Sequence, residues 1–236
     1  MDGFSYVNLF DTKGIEYIII IVFLLALIPF WKLLNRPLKV SAAKGSEAQP
    51  LFTSVMSAPQ GLYFSKNHTW AYMLRSGDAR IGIDRLLLNL TGEVRVRVLK
   101  DPGSVIRKGE ELYEIARDGK RLTIASPLSG RVTSLNSDLR DDPAMLQEDP
   151  YGKGWICSIR PENWLAEVTG FQFAAGANAW LKNELARVRD FMAVATGRFS
   201  PEAQAVYMQD GGEPADFSLA SMPAEVWNEF QNEFLK

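Results

Sequence analysis

The alternation of apolar and polar positions divides the chain into segments of different kinds. Residues 15–34 are almost entirely apolar, residues 61–165 alternate over short stretches between turn residues, and residues 166–236 carry apolar side chains at helical spacing. An apolar run of about 20 residues is long enough for a membrane-spanning helix, period two is typical of strands, and a spacing of three or four is typical of helices. The predicted segments are a short N-terminal segment, a transmembrane helix, a linker, a β domain and a helical extension, over residues 1–14, 15–34, 35–60, 61–165 and 166–236.

The apolar run also predicts a location for the protein. Tyr17 and Trp31 lie near its ends, where aromatic side chains favour the membrane interface. Only Lys13 precedes the run closely, whereas several basic residues follow it: Lys32, Arg36, Lys39 and Lys44. The positive-inside rule then predicts a single-pass protein of the inner (plasma) membrane, in contact with the lipid bilayer, whose soluble part faces the cytoplasm. A cleaved signal peptide is the alternative, but no small-residue cleavage pattern directly follows the run, and an uncleaved anchor is favoured.

Turn residues set the limits of the strands in the β domain. Asp84 is predicted to cap a short helix that ends at Gly92. The alternating stretch 93–99 predicts a half-buried strand. Asp118-Gly119 predicts a tight hairpin turn, because these residue types tolerate the positive φ that such turns require. The predicted fold class is therefore mainly β with helices at the C-terminal end.

The helical extension has apolar stripes on both of its predicted helices. The last helix is predicted to begin at about Pro223, with Trp227, Phe230 and Phe234 on one side. The first helix carries its stripe opposite charged residues, at Trp180, Leu181, Leu185, Val188 and Met192. We expect both stripes to pack against the β domain; a groove for a partner is the alternative.

Composition argues against several kinds of site. A formal net charge of -2 gives no general attraction to nucleic acid. The lone cysteine, Cys157, fits a reducing compartment and is predicted to be a buried apolar side chain. His68 is the only histidine, so the chain cannot assemble the Cys and His ligands of a zinc site, and no metal site is predicted. The sequence contains no nucleophile motif, phosphate loop or acid–base cluster. The acidic pairs 141–142 and 148–149 are expected to be solvated. Neither catalytic residues nor enzyme activity are therefore predicted.

Several short motifs in the β domain occur in the order of a known family. They are His68-Thr69-Trp70 before a hairpin, Ile81-Gly82-Ile83-Asp84 before a short helix, Pro102-Gly103 to Glu110, Ser126-Pro127 to Val132, and Glu148 to Trp155. Together, over residues 62–164, they resemble the glycine cleavage system H protein. The resemblance implies a lipoyl-type flattened β-barrel, also called a barrel-sandwich hybrid. Within it, Trp70 is expected in the core and His68 half-exposed, both in structural roles.

In the family that this chain resembles, one lysine at a hairpin tip carries lipoate as a swinging arm between enzymes. The family usually reads Glu-Ser-x-Lys there. Counting back from Ser126 places Gly119 at the lysine position, with Ala116 and Arg117 in place of the Glu-Ser pair. Lys120 lies one residue later. Either Lys120 is lipoylated in an altered turn, or it belongs to an ordinary solvated turn. The second interpretation is favoured, so no cofactor is expected. Lipoate on Lys120 is the alternative.

These observations lead to three hypotheses of function. The favoured one is a membrane-anchored H-protein-like domain that lacks lipoate and serves as a docking or accessory module for a membrane-associated or redox complex. The second is a genuine lipoyl carrier, modified on Lys120, that works with redox or carrier-dependent enzymes. The third is a membrane-fusion adaptor of an efflux or secretion system. The short turn between the two halves of the domain disfavours this third hypothesis, because such adaptors usually insert a long helical hairpin there.

Overall fold

The computed structural model describes residues 9–34, 58–199 and 218–236. The chain separates into two compact units, Met1–Gly45 and Ser46–Lys236, which are described individually. Most of the predicted linker, up to residue 57, and the predicted helix start at Ser200-Pro201 lie outside the described residues.

The first unit contains one long helix, α1 (Leu9–Leu34), which includes Pro29. This helix covers the apolar run 15–34 and starts before it. In the ranges that the structure describes, no helix is found with both the length and the apolar character that a membrane span requires. The prediction of a transmembrane helix over 15–34 is therefore not supported by the structure.

The second unit is built on two antiparallel sheets. In the described part of the chain the larger sheet has the order β10-β1-β2-β3-β9-β8-β5, and the smaller has the order β4-β6-β7. The strands are β1 (Tyr63–Phe64), β2 (Thr69–Met73), β3 (Ala79–Ile83), β4 (Arg95–Val98), β5 (Val105–Ile106), β6 (Glu111–Arg117), β7 (Lys120–Ala125), β8 (Gly130–Leu135), β9 (Cys157–Pro161) and β10 (Gln172–Phe173). The mainly β architecture predicted from the sequence is confirmed.

Helices connect and follow the strands of the second unit. They are α2 (Arg85–Thr91), α3 (Asp138–Asp141), α4 (Met145–Glu148), α5 (Trp164–Glu167) with a 3-10 turn at Val168–Gly170, α6 (Ala175–Phe199) and α7 (Ala224–Phe234). The cap of α2 is the predicted one, since the Asp84 carboxylate accepts a hydrogen bond from the Leu87 N–H at 2.9 Å and Gly92 follows the last turn. The C-terminal helices predicted from the sequence are thus present.

The helical extension is joined to the β domain through a shared core. The stripe of α6 is buried at Leu181 and Met192, and α7 buries Trp227 and Phe230 in the same cluster as the strands. Packing against the domain, as predicted for these stripes, is confirmed. The sheet also extends past the predicted boundary at residue 165, because β10 pairs antiparallel with β1.

Candidate functional site

The hairpin between β6 and β7 carries the residues that the family resemblance singles out. Arg117 pairs with Lys120 across a two-residue turn. The turn residues Asp118 and Gly119 have φ of 49° and 80°, the left-handed values that favour Gly and tolerate Asp. A Cβ added at Gly119 would meet no atom within 4 Å, so this position faces open space. The predicted tight turn is confirmed, and its tip is a glycine.

Lys120 follows the tip, but its ammonium group is not free in solvent. The Nζ donates hydrogen bonds to the carbonyl oxygens of Ala220 and Met222, the latter at 3.0 Å. It also lies 5.3 Å from the ring centroid of Trp227, within the range of a cation–π contact. Burial lowers the pKa of Lys120, although the neighbouring Asp118 carboxylate acts in the opposite direction. The C-terminal segment, residues 218–236, therefore contacts the amine of Lys120, the predicted alternative site for lipoate, and leaves this residue half-buried.

The same segment covers the outer edge of β7. The side-chain amide of Gln231 accepts a hydrogen bond from the Thr123 N–H at 2.7 Å and donates one to the Thr123 carbonyl at 2.8 Å. Asn67 donates from its side chain to the Ala125 carbonyl at 2.8 Å. These contacts satisfy backbone groups that an edge strand would otherwise present to another chain. Side chains of this protein therefore occupy the outer edge of β7 at Thr123 and Ala125.

A cleft of about 560 Å³ opens beside the hairpin. One wall is β7 with Thr123 and Ala125, and another is the C-terminal segment with Gln231. Lys108 at its rim donates from Nζ to the Glu167 carbonyl at 3.0 Å and lies 5.1 Å from the Phe171 ring centroid. The C-terminal segment thus covers Lys120 and also narrows the cavity next to it.

A buried charged cluster holds α6 against the β domain. His68 is fully buried, and its Nδ1 lies 2.8 Å from an Asp84 carboxylate oxygen. Its Nε2 lies 3.7 Å from a carboxylate oxygen of Glu184 on α6, which also accepts a hydrogen bond from Arg187 at 2.7 Å. Burial alone would lower the pKa of His68, but the Asp84 and Glu184 carboxylates outweigh it and raise the pKa to about 9. The imidazole is therefore positively charged at neutral pH, between two carboxylates.

The expectation that His68 is half-exposed is therefore wrong. Its ring lies in the interior, with ring centroids of Trp180 and Phe234 at 5.6 Å and 6.4 Å, because α6 and α7 fold over the bend that precedes β2. Glu184 was missed by sequence analysis. The signal was an acidic residue inside the apolar stripe of α6, three residues after Leu181, where a charge requires a buried partner.

Other predicted residues occupy the expected positions. Trp70 is buried and donates from Nε1 to the carbonyls of Ile83 and Pro150 at 3.0 Å and 3.1 Å. Cys157 is buried, and burial raises the pKa of its thiol to about 12, so it is an inert core side chain at neutral pH. The acidic pairs 141–142 and 148–149 are exposed, as predicted. Across the described ranges, no group of three or more acidic, Cys or His residues could hold a metal ion.

Comparison with known proteins gives the same family as the motifs. The family model described as "Glycine cleavage H-protein" matches residues 62–184. The "Probable glycine cleavage system H protein" of Pyrococcus abyssi is 33% identical over 124 residues, which cover 52% of this chain and 92% of that protein. The "Glycine cleavage system H protein" of an Acinetobacter baumannii strain is 34% identical over 126 residues, which cover 51% of this chain and 99% of that protein.

A solved structure is also similar to part of the chain. It is a glycine cleavage system H protein from Mycobacterium marinum, 24% identical, with a TM-score of 0.46, and the match covers 53% of this chain and 99% of that one. Since the family model spans more than half of the chain, and this chain covers nearly the whole length of relatives that are more than 30% identical, the assignment rests on sequence. The chain belongs to the glycine cleavage H-protein family.

Proposed function

We propose that this protein is a docking or accessory module with the H-protein fold that carries no lipoate. Proteins of this family are carriers and not catalysts, which agrees with the sequence-based prediction that this protein is not an enzyme. The proposed partners are proteins of a redox or carrier-dependent complex. The contact that carries the proposal is the pair of hydrogen bonds from Lys120 Nζ to the Ala220 and Met222 carbonyls.

The turn itself gives the first support. A lipoyl lysine has to extend from an exposed hairpin tip so that a ligase can reach its amine. The exposed tip here is Gly119, which has no side chain to modify, and its partner in the turn is Asp118. A carrier of the ordinary kind would need an amine at this position.

The covered state of Lys120 gives the second support. Acylation of a lysine requires its amine to approach the activated carbonyl of lipoate, and hydrogen bonds to two carbonyls together with the Trp227 ring occupy that amine. Lys120 also lies after the tip of the turn, at the first position of β7. A ligase would have to displace residues 218–222 before it could act on Lys120.

The second candidate function is a lipoyl carrier modified on Lys120. Membership of the family favours it, because lipoate on a lysine of this hairpin is the family's chemistry. It would require the C-terminal segment to move away from the amine. The location at the inner membrane stays a prediction from residues 15–34, and the docking proposal does not depend on it.

The proposal is tested by incubating the full chain with a lipoate ligase, lipoate and ATP, followed by intact-mass measurement. Wild-type protein is expected to stay unmodified. The variant Gly119→Lys, which places an amine at the open tip, is expected to gain lipoate at a backbone strain of about 1 kcal/mol. Lys120→Arg is the matched control, because it keeps the charge and removes the amine that would be acylated.

A second readout does not depend on recognition by a ligase. Amine acetylation by a small reagent should label Lys120 at least about tenfold more slowly than the exposed Lys153, because both carbonyl contacts must break first. The lowered pKa of Lys120 would by itself speed labelling, so slow labelling reports covering and not protonation. Lipoate on Lys120 of the wild-type protein, or equal labelling of the two lysines, would overturn the proposal.

A further inference from the structure

The strand β4 has one side that pairs with nothing in the described part of the chain. It lies at the end of the smaller sheet, and β6 is its only partner among the strands that the structure describes. The Leu99 N–H donates to the Leu112 carbonyl at 2.9 Å, so by the alternation of an antiparallel ladder Arg97 and Arg95 also bond to β6. The N–H and C=O groups of Val96 and Val98 therefore point away from the sheet. No hydrogen bond within the described ranges reaches these groups.

Space for another chain is present along this edge. A recess of about 320 Å³ lies between Val94 and Pro143, at the start of the strand. A second, of about 410 Å³, follows β4 from Val96 to Val98 and has Leu135, Leu139 and Ile156 in its wall. The two recesses together follow the unpaired side of the strand.

The side chains of β4 define what would fit there. Arg95 and Arg97 are exposed, with 77% of the Arg97 side chain accessible, and they share the outer face of the sheet. Val96 and Val98 are half-buried on the other face, against the core. An added strand would place alternate residues opposite the two arginines and the intervening residues over the apolar wall.

We propose that β4 is a docking edge for an extended segment of a partner protein in which acidic residues alternate with small apolar ones. The backbone of that segment would pair with Val96 and Val98, and its carboxylates would lie opposite Arg95 and Arg97. Addition of a strand to an open edge is a common mode of peptide recognition. The inference rests on the proposed docking role and assigns a surface and a partner chemistry to it.

A second copy of this chain is a poorer occupant of the same edge. Two β4 strands paired antiparallel would bring the arginines of one copy opposite those of the other, and like charges directly opposite destabilise a sheet. The existing partner of Arg97 is Glu114, at 3.9 Å and only as a weak surface contact. The Arg95 side chain forms no ion pair within the described ranges, so both guanidinium groups are available to acidic side chains of another protein.

The experiment measures fluorescence anisotropy of a labelled peptide titrated with the full chain. The peptide alternates Glu and Val over the length of β4 and has Gly-Ser ends for solubility. There are two control peptides. In one, Lys replaces Glu; in the other, the backbone nitrogens that would face β4 are methylated. We expect saturable binding of the acidic peptide. Each control peptide should bind at least about tenfold more weakly, because the Lys peptide loses the charge pairs and the methylated peptide loses backbone hydrogen bonds.

Two variants locate the binding on β4. Val96→Pro removes an N–H that points away from β6, so the ladder within the sheet is kept while the edge loses a donor. It should weaken binding of the acidic peptide about tenfold. Arg97→Glu should weaken the acidic peptide and strengthen the Lys peptide, a reversal that loss of folding cannot produce.

Several results would overturn the inference. They are absence of saturable binding, equal binding of the methylated peptide, and unchanged binding to Val96→Pro. A concentration-dependent dimer that Val96→Pro abolishes would show that a second copy occupies the edge and would also defeat it. Lipoate on Lys120 would defeat the docking role itself, whereas failure of peptide binding with Lys120 unmodified would defeat only the assignment of β4.

Discussion

The buried His68 gives a prediction of how stability depends on pH. Its imidazole lies between the Asp84 and Glu184 carboxylates, at 2.8 Å and 3.7 Å, and connects the β domain with α6. These carboxylates raise the pKa from the ordinary value of 6.5 to about 9 in the folded protein. A base whose pKa is higher in the folded than in the unfolded protein stabilises the fold fully at pH values below the unfolded-state pKa. This contribution is lost as the pH rises through the folded-state pKa.

The size of the effect follows from the two pKa values. One pKa unit corresponds to roughly 1.4 kcal/mol, so the full contribution of His68 at low pH is on the order of 3 kcal/mol. Integration between about pH 7 and pH 9 gives a loss of roughly 2 kcal/mol in the free energy of unfolding. The charged groups facing the imidazole are Asp84, Glu184 and, behind the latter, Arg187.

The assay is urea unfolding of the full chain followed by tryptophan fluorescence at several pH values in this window. The control is His68→Asn, because Asn tolerates the left-handed backbone found at His68, where φ is 59°. Subtracting the control removes the titration of other groups, including ionisation of Cys157 in the unfolded chain. A wild-type free energy of unfolding that stays level, or rises, relative to the control between pH 7 and pH 9 would refute the assignment of a charged His68.

Two substitutions test the packing around the site. Gln231→Ala should lower the free energy of unfolding by about 1–2 kcal/mol and speed amide exchange at Thr123, since both edge hydrogen bonds are lost. The control is Asn232→Ala, at an exposed position next to Gln231. If the Thr123 amide stayed as protected in Gln231→Ala as in the wild type, the edge contact would be contradicted. Gly82→Ala should cost about 1–3 kcal/mol in urea unfolding, because its Cβ would lie 2.5 Å from the Trp70 ring. Gly170→Ala, whose Cβ would meet nothing within 4 Å, should change little, and equal stability of these two glycine variants would speak against the close approach.

Local features of the fold could be predicted because their causes lie within a few residues. The cap of α2 needs only Asp84 and the N–H groups that follow it, and the β6–β7 turn needs only Asp118-Gly119. Trp70 and Cys157 were predicted to be buried from their residue types, and they are. Propensity and spacing are sufficient for features of this kind.

Features that depend on distant contacts could not be predicted in the same way. Lys120 reads as a solvated turn residue until Ala220 and Met222, about a hundred positions later, are placed beside it. His68 reads as half-exposed until α6 brings Glu184 over it. Neither contact has a signal in the local sequence of the hairpin or of β2, because helix docking determines both.

The proposed lack of lipoate is tested most directly by the intact mass of the protein isolated from its native source, with peptide mapping of the β6–β7 hairpin. We predict an unmodified Lys120, because residues 218–222 contact its amine and Gly119 occupies the tip. A lipoyl increment that maps to Lys120 would contradict this prediction and establish the protein as a carrier.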